Sequence, residues 1–356
     1  MGVVDSVTQP DAAAPTRRGG GGGAVPNVRR LILRPELTAV LGTIVVFSYF
    51  AFTAGGNGFL SHSGTINYLE VAAEIGIIAI PITLLLIAGE FDLSVGAVVG
   101  AAGILMVYPV VDHGWPLAAA IALGLAFAVV VGVVNGLLTV RTTIPSFLVT
   151  LGILYVVSGT AVALSDRFLG STNVYGLHAA LKGDPLLPLF DGKMAGIPAE
   201  IWWWIGLTVI GTYVLTRTPF GNWIYASGGN RDAARKLGVP VARVKVILFC
   251  CTAMASVLVA LLSSFNVDGA DATNGADKLF QAPVAAVIGG ALLAGGFGSV
   301  VGAAFGALLF GMISQGFFFT NIDDNWFQTF LGAMMLVAVF VNDYIRRASL
   351  RQRRIR

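Results

Sequence analysis

The sequence predicts an all-α, polytopic membrane protein of about ten transmembrane helices with both termini cytoplasmic. Three observations carry that prediction. Of 356 residues, 56% are hydrophobic and only 12% charged, against about 25% charged in an ordinary soluble domain, and the mean hydropathy is +0.81. Long apolar runs alternate with short polar breaks, and each bilayer crossing takes about 20 apolar residues. Runs such as 117–140 lack the apolar–polar alternation of a barrel strand. Basic residues, finally, gather on one side of the expected helices.

Taken in order, residues 1–35 hold Arg17, Arg18, glycines throughout 19–23, Pro26, Arg29, Arg30 and Arg34 without an early apolar stretch. That is the composition of a flexible basic tail and not of a cleaved signal peptide. Helices are expected near 36–54, 66–88, 95–111, 116–140 and 145–164. Pro81 lies inside the second of these and removes a backbone hydrogen bond, which predicts a bend. An outer loop at 165–199 carries Asp166, Asp184, Pro185, Pro188, Asp191 and Pro198. It fits irregular structure or a short re-entrant helix, and either a passive connection or a surface for an external partner. Trp202, Trp203 and Trp204 open the next helix, 200–215, where indoles anchor at the headgroup boundary. A cytoplasmic loop at 216–245 precedes helices near 246–265, 282–295, 299–318 and 327–345, and a basic tail, 346–356, ends the chain.

This topology places Arg17, Arg18, Arg29, Arg30, Arg34, Arg141, Arg217, Arg231, Arg235, Lys236, Arg243, Lys245, Arg346, Arg347, Arg351, Arg353, Arg354 and Arg356 on one side. The other side keeps only Arg167, Lys182, Lys193 and Lys278. The basic side is the cytoplasm by the positive-inside rule. Because the basic residues border apolar segments, membrane lipid and not nucleic acid is the expected partner of the net charge of +3. No catalytic or metal site is expected: Cys250 and Cys251 are adjacent inside an apolar run, and His62, His113 and His178 all fall near outer loops.

The loop at 216–245 reads Arg217-Thr-Pro-Phe-Gly-Asn222, then Ala226-Ser-Gly-Gly-Asn230, then Arg231-Asp-Ala-Ala-Arg-Lys-Leu-Gly238. Asn230 is a good N-cap, Asp232 suits a first turn, Arg235 and Lys236 a last turn, and Gly238 a left-handed terminus. A helix this short is unstable alone and needs a surface, either a partner's or its own membrane domain. Between the second and third spans, Gly89 permits an abrupt turn, Asp92 or Ser94 can cap the next helix, and Gly96 allows close helix approach. Glu70 and Glu74 are spaced i, i+4 in the outer half of the second span and share one face. A path for a hydroxyl-rich solute needs such a face, and Asn135, Gln315 and Phe318 are further candidates, with interhelical packing the alternative for each.

These strings, with Asn135-Gly136, Ile144-Pro-Ser-Phe-Leu-Val-Thr-Leu-Gly152 and Val287-Ile-Gly-Gly290 running to Gly295-Gly-Phe-Gly-Ser299, resemble the ribose-type sugar branch of the ABC-importer permeases. The resemblance covers most of residues 60–345 in the family's order. It implies a binding-protein-dependent permease in a prokaryotic inner membrane, with Gly228, Gly229, Asn230, Ala233, Ala234 and Gly238 forming a helix that couples to a cytoplasmic ATPase. It also implies a second copy or close paralogue, a homodimer being expected, and an extracellular sugar-binding protein. ATP and Mg²⁺ would belong to the ATPase and no cofactor to this chain, which has no Gly-x-x-x-x-Gly-Lys-Ser/Thr string.

Two departures qualify the resemblance. Glu90 stands where the family has Gly-Ile-Asp, and Leu279-Phe-Gln-Ala-Pro-Val-Ala285 lacks the family's acidic residue, so the solute stays open among a pentose, a hexose or related polyol, a nucleoside and an autoinducer. An internal echo pairs Ala88-Gly-Glu-Phe and Val98-Val-Gly-Ala-Ala102 with Ala294-Gly-Gly-Phe and Val300-Val-Gly-Ala-Ala304. The rival classes are a gradient-driven carrier, which needs an ion-binding group at the midplane, and a membrane enzyme, which needs convergent catalytic groups.

Overall fold

A computed structural model describes residues 35–320, together with isolated helical positions between 326 and 340. The expected tails at 1–35 and 346–356, Pro35 apart, and most of the expected helix at 327–345 lie outside the described residues. The first five expected spans are α1 (Pro35–Ala54), α2 (His62–Ile87), α3 (Val95–His113), α4 (Leu117–Arg141) and α5 (Ser146–Leu169). Two single-turn helices follow, α6 (Leu177–Ala180) and α7 (Leu187–Phe190), then α8 (Ala199–Arg217), α9 (Pro219–Gly229) and α10 (Arg231–Lys236). The chain continues through α11 (Val241–Asn266), α12 (Lys278–Ile288) and α13 (Val300–Phe319). Among the described residues seven helices, α1 to α5, α11 and α13, are long and apolar enough to cross a membrane.

The helix expected at 282–295 is corrected. It begins at Lys278 and stops at Ile288 after 11 residues, about 16 Å of rise against about 30 Å of hydrocarbon. The apolar run continues to Leu293, but Gly290, Gly295 and Gly296 take left-handed backbone angles that end regular helix. Residues 289–299 are therefore a loop and α13 resumes at Val300. The segment at 216–245 holds the short helix expected from Asn230 to Gly238, as α10, and a second that was not expected, α9. Thr218 starts α9: its hydroxyl accepts the Gly221 amide and donates to the Val214 carbonyl, with Pro219 at the first helical position.

Helix α2 is the central post: 83% of its apolar window is buried, against 11% for α5 at the periphery. It runs unbroken through Pro81 and is flanked by α8, α11, α12 and α13. The α4–α11 contact is made close by Gly132 and Gly136, where a side chain would press on the backbone of Cys250 and Val246.

Among the described residues the fold is mostly helical, and two short ribbons join the segments between helices. There β1 (Asn173–Tyr175) pairs antiparallel with β4 (Gly269–Asp271), in the register Asn173↔Asp271 and Tyr175↔Gly269. A second small ribbon pairs β2 (Lys193–Met194) with β3 (Ile197–Pro198). His178 clasps the outer loop to the end of α11. Its Nδ1 lies 2.8 Å from Asp268 Oδ1, its Nε2 3.0 Å from Asp191 Oδ2, and its backbone N–H donates to Asp268 Oδ1 at 2.8 Å. The bond to Asp268 holds His178 above the usual histidine range against the opposing effect of burial, with Asp191 adding to the rise. Asp268 is held below the usual carboxylate range, first by the His178 backbone N–H and then by the ring.

Candidate functional site

Between α8 and α11 the structure brings together Gly228, Gly229, Asn230, Ala233, Ala234 and Gly238. Asn230 is extended (φ −156°, ψ 100°), and its side chain accepts the Ala233 amide at 3.0 Å. Asp232 sits in the first turn of α10, Arg235 and Lys236 in the last, each sign suited to its end of the helix dipole. The turn is closed by the Gly238 and Val239 amides, which donate to Arg235 and Ala234 carbonyls, with Gly238 at φ +82°. Ala234 is buried while Asp232, Ala233, Arg235 and Lys236 face outward. Leu237, not singled out from sequence, exposes 84% of its surface. Its signal was an isolated leucine in a basic turn, too slight to separate from a helix terminus.

Three of the glycine strings meet at the foot of α2. The Gly296 amide donates to the Ile87 carbonyl at 2.8 Å, and a side chain at Gly228 would run into that same oxygen. A Cβ built on Gly295 would lie 2.9 Å from the Gly89 Cα and 3.1 Å from the Gly228 carbonyl oxygen. The Tyr225 hydroxyl donates to the Gly298 carbonyl at 2.9 Å. The echoed strings thus sit at corresponding breaks, one between α2 and α3 and one between α12 and α13, and α9 wedges against both. Contacts this close require backbone against backbone, which is why glycine recurs there.

Beside this junction lies a buried polar network. Asp92 Oδ1 accepts the Ser94 amide at 2.9 Å and the Ser94 hydroxyl at 2.6 Å, and Asp92 Oδ2 accepts the Thr252 hydroxyl at 2.6 Å. Ser94 occupies the N-cap position of α3 but makes no side-chain cap bond. Asn135 Nδ2 donates to Ser94 Oγ at 2.8 Å. Ser146 and Thr150 on α5 accept the Phe91 and Leu93 amides at 3.0 and 3.1 Å. Glu90 forms an ion pair with Lys245 at the start of α11, both side chains largely buried. Gly96 packs its backbone on Gly275 and Leu279 of the α12 approach.

The solute-path candidates are spread between the two ends. Glu70 and Glu74 lie on the outer half of α2, where Glu74 pairs with Lys278 at 2.5 Å. Asn135 is instead in the polar network around Asp92, while Gln315 and an exposed Phe318 lie in the last turns of α13. Sequence reasoning missed Glu200, which is 3% exposed and accepts from Asn266 Nδ2 at 3.4 Å. Chain distance hid the ion pairs: Glu90 and Lys245 are 155 positions apart, Glu74 and Lys278 204.

Over residues 64–339 the chain matches the family described as branched-chain amino acid transport system / permease component. It is 30% identical to the xylose/arabinose import permease protein of Sulfolobus acidocaldarius, across 92% of this chain and 90% of that one. It is 29% identical to the fructose import permease protein of Rhizobium meliloti, across 89% and 88%. A third relative, the autoinducer 2 import system permease protein of Photorhabdus luminescens, is 32% identical across 74% and 78%. No solved structure matches the chain.

Proposed function

The chain belongs to the branched-chain amino acid transport system permease-component family, and from that premise we propose that it is the membrane-spanning subunit of an ATP-driven importer whose solute is a sugar. It is a multi-pass inner-membrane transport subunit and not an enzyme. Sugar as the solute rests on the xylose/arabinose and fructose permeases it resembles. The autoinducer 2 relative keeps a second solute class in view.

One observation carries the coupling: α10, with Leu237, offers an outward surface while α9 is locked to both helix breaks through Gly228. A push on α10 by an ATPase subunit reaches the foot of α2 without crossing a flexible linker. Gly228, Gly229, Asn230, Ala233, Ala234 and Gly238 are the coupling residues in this reading. Two cytoplasmic ATPase subunits hold ATP and Mg²⁺, an external binding protein delivers solute, and a second copy or paralogue completes the path. A cytoplasmic location for both termini is the reading that the placement of the basic residues supports. Glu70, Glu74, Asn135, Gln315 and Phe318 are the path candidates. Alternation between outward-open and inward-open states requires ligands with different affinity for the two.

The test is co-purification of the tagged full chain from mild detergent. The reading expects an ATPase subunit to be recovered, and expects Leu237→Asp to lose it while the chain still inserts in the membrane. Recovery of the ATPase unchanged with Leu237→Asp removes α10 from the interface.

A further inference from the structure

The outer halves of α2, α8 and α11, with the start of α12, carry Glu70 and Glu74, Glu200, Asn266 and Lys278, of which Glu74 meets Lys278 and Glu200 meets Asn266 across helices. Glu74 and Lys278 satisfy each other. Glu200 does not share in that pairing. Among the described residues its Oε2 accepts only the long bond from Asn266, and its Oε1 is fully buried without a donor. Glu200 nevertheless lies within electrostatic range of Glu74, Glu70 and Lys278.

One turn deeper on the same face of α8 is Trp204, spaced i, i+4 from Glu200. Trp204 is 8% exposed, and among the described residues its indole N–H is a buried donor without an acceptor. The indole lies against Gly76 of α2, where any side chain would collide with Nε1. Trp202 and Trp203, by contrast, donate to the Met194 and Leu189 carbonyls at 3.3 and 3.0 Å. Of three consecutive tryptophans, only the buried one lacks a partner.

An unfilled acceptor and an unfilled donor on one helix face complement a hydroxyl, which donates and accepts at once. Buried polar groups are nearly always paired, so two on one face mark a place where pairing comes from elsewhere. The indole face adds an apolar surface of the kind that the C–H face of a pyranose covers.

We propose that Glu200 and Trp204, with Glu74, Asn266 and Lys278 around them, form a hydroxyl-binding subsite for a sugar or polyol on the outer side of the path. Glu200 Oε1 accepts a solute hydroxyl proton, Trp204 Nε1 donates to a solute oxygen, and Lys278 and Asn266 supply further donors at the rim. The proposal rests on the sugar-importer reading above, and adds which residues discriminate between solutes.

The test is uptake by the full complex in proteoliposomes, supplied with its binding protein, of ¹⁴C-labelled D-xylose, L-arabinose, D-ribose, D-fructose and 2-deoxy-D-ribose. Wild type is compared with Glu200→Gln, which keeps the shape and turns one acceptor oxygen into a donor, and with Trp204→Phe, which keeps a ring and removes the N–H. Co-purification with the ATPase checks assembly of each. The subsite predicts that at least one variant changes the ratio of maximal uptake rates between two of these sugars by threefold or more. Ratios unchanged in both variants, whether total uptake is retained or falls equally for every sugar, make the pair packing or water-holding groups and overturn the inference. Absence of uptake of every sugar by wild type instead overturns the sugar-importer reading and the inference with it.

Discussion

Glu90 shows what a single residue can and cannot disclose. A carboxylate between two apolar runs has to be paired or at a boundary, and sequence offers no means to choose among 22 basic residues. The fold chooses Lys245. Removing one partner of a buried pair strands the other, at a cost of about 3–5 kcal/mol. Glu90→Ala is therefore expected to lower the melting temperature of the detergent-purified chain sharply, and Glu90→Gln with Lys245→Met to recover most of it; equal stability of Glu90→Ala and wild type would show the pair to be solvated. His178 gives a pH-dependent counterpart. Its folded pKa is raised, so the clasp is fully present below the unfolded value of about 6.5 and is lost as pH rises through the folded value. Asp268 is shifted the other way, so its share is present above about 3.9 and lost as pH falls. Hydrogen exchange, corrected for intrinsic rates, should show the Gly176 and His178 amides less protected at pH 9 than at pH 6. Protection independent of pH over that range would contradict the assignment.

At the scale of elements, capping chemistry was readable: Asn230 and Gly238 bound α10 as their residue types require. The helix α9 was not, because Ala226-Ser-Gly-Gly-Asn230 reads as a loop and its glycines serve packing. Helix α12 misled in the opposite sense, since an apolar run signals burial and α12 is buried by α2 and α13, not by lipid. The glycine junction separates two neighbours that sequence treats alike. A Cβ at Gly228 collides with the Ile87 carbonyl oxygen, whereas one at Gly229 meets nothing within 4 Å. Gly228→Ala is expected to cut solute-stimulated ATP hydrolysis by tenfold or more, and Gly229→Ala to cut it by less. The reverse order would show that α9 does not transmit through its contact with α2.

For the whole molecule, composition and basic asymmetry were enough to assign a helical membrane protein, because both follow from transfer energetics that act on every residue. What joins the ends of the path was not legible. Side chains that meet across α2, α8, α11 and α12 come from segments far apart in the chain, and apolar periodicity is silent about which polar groups face one another. The proposed coupling surface at α10, the glycine junction at the foot of α2 and the polar groups at both ends of the helices form a layout suited to moving a polar solute under force from one side. The central claim is energy from a separate ATPase. The measurement that reaches it most directly is uptake of ¹⁴C-labelled D-xylose and D-fructose into proteoliposomes, with ATP on the side of the ATPase or withheld. The account predicts accumulation of one of these sugars only when ATP, the ATPase subunits and the binding protein are all present. Accumulation by the chain alone in ATP-free vesicles under an ion gradient would contradict it.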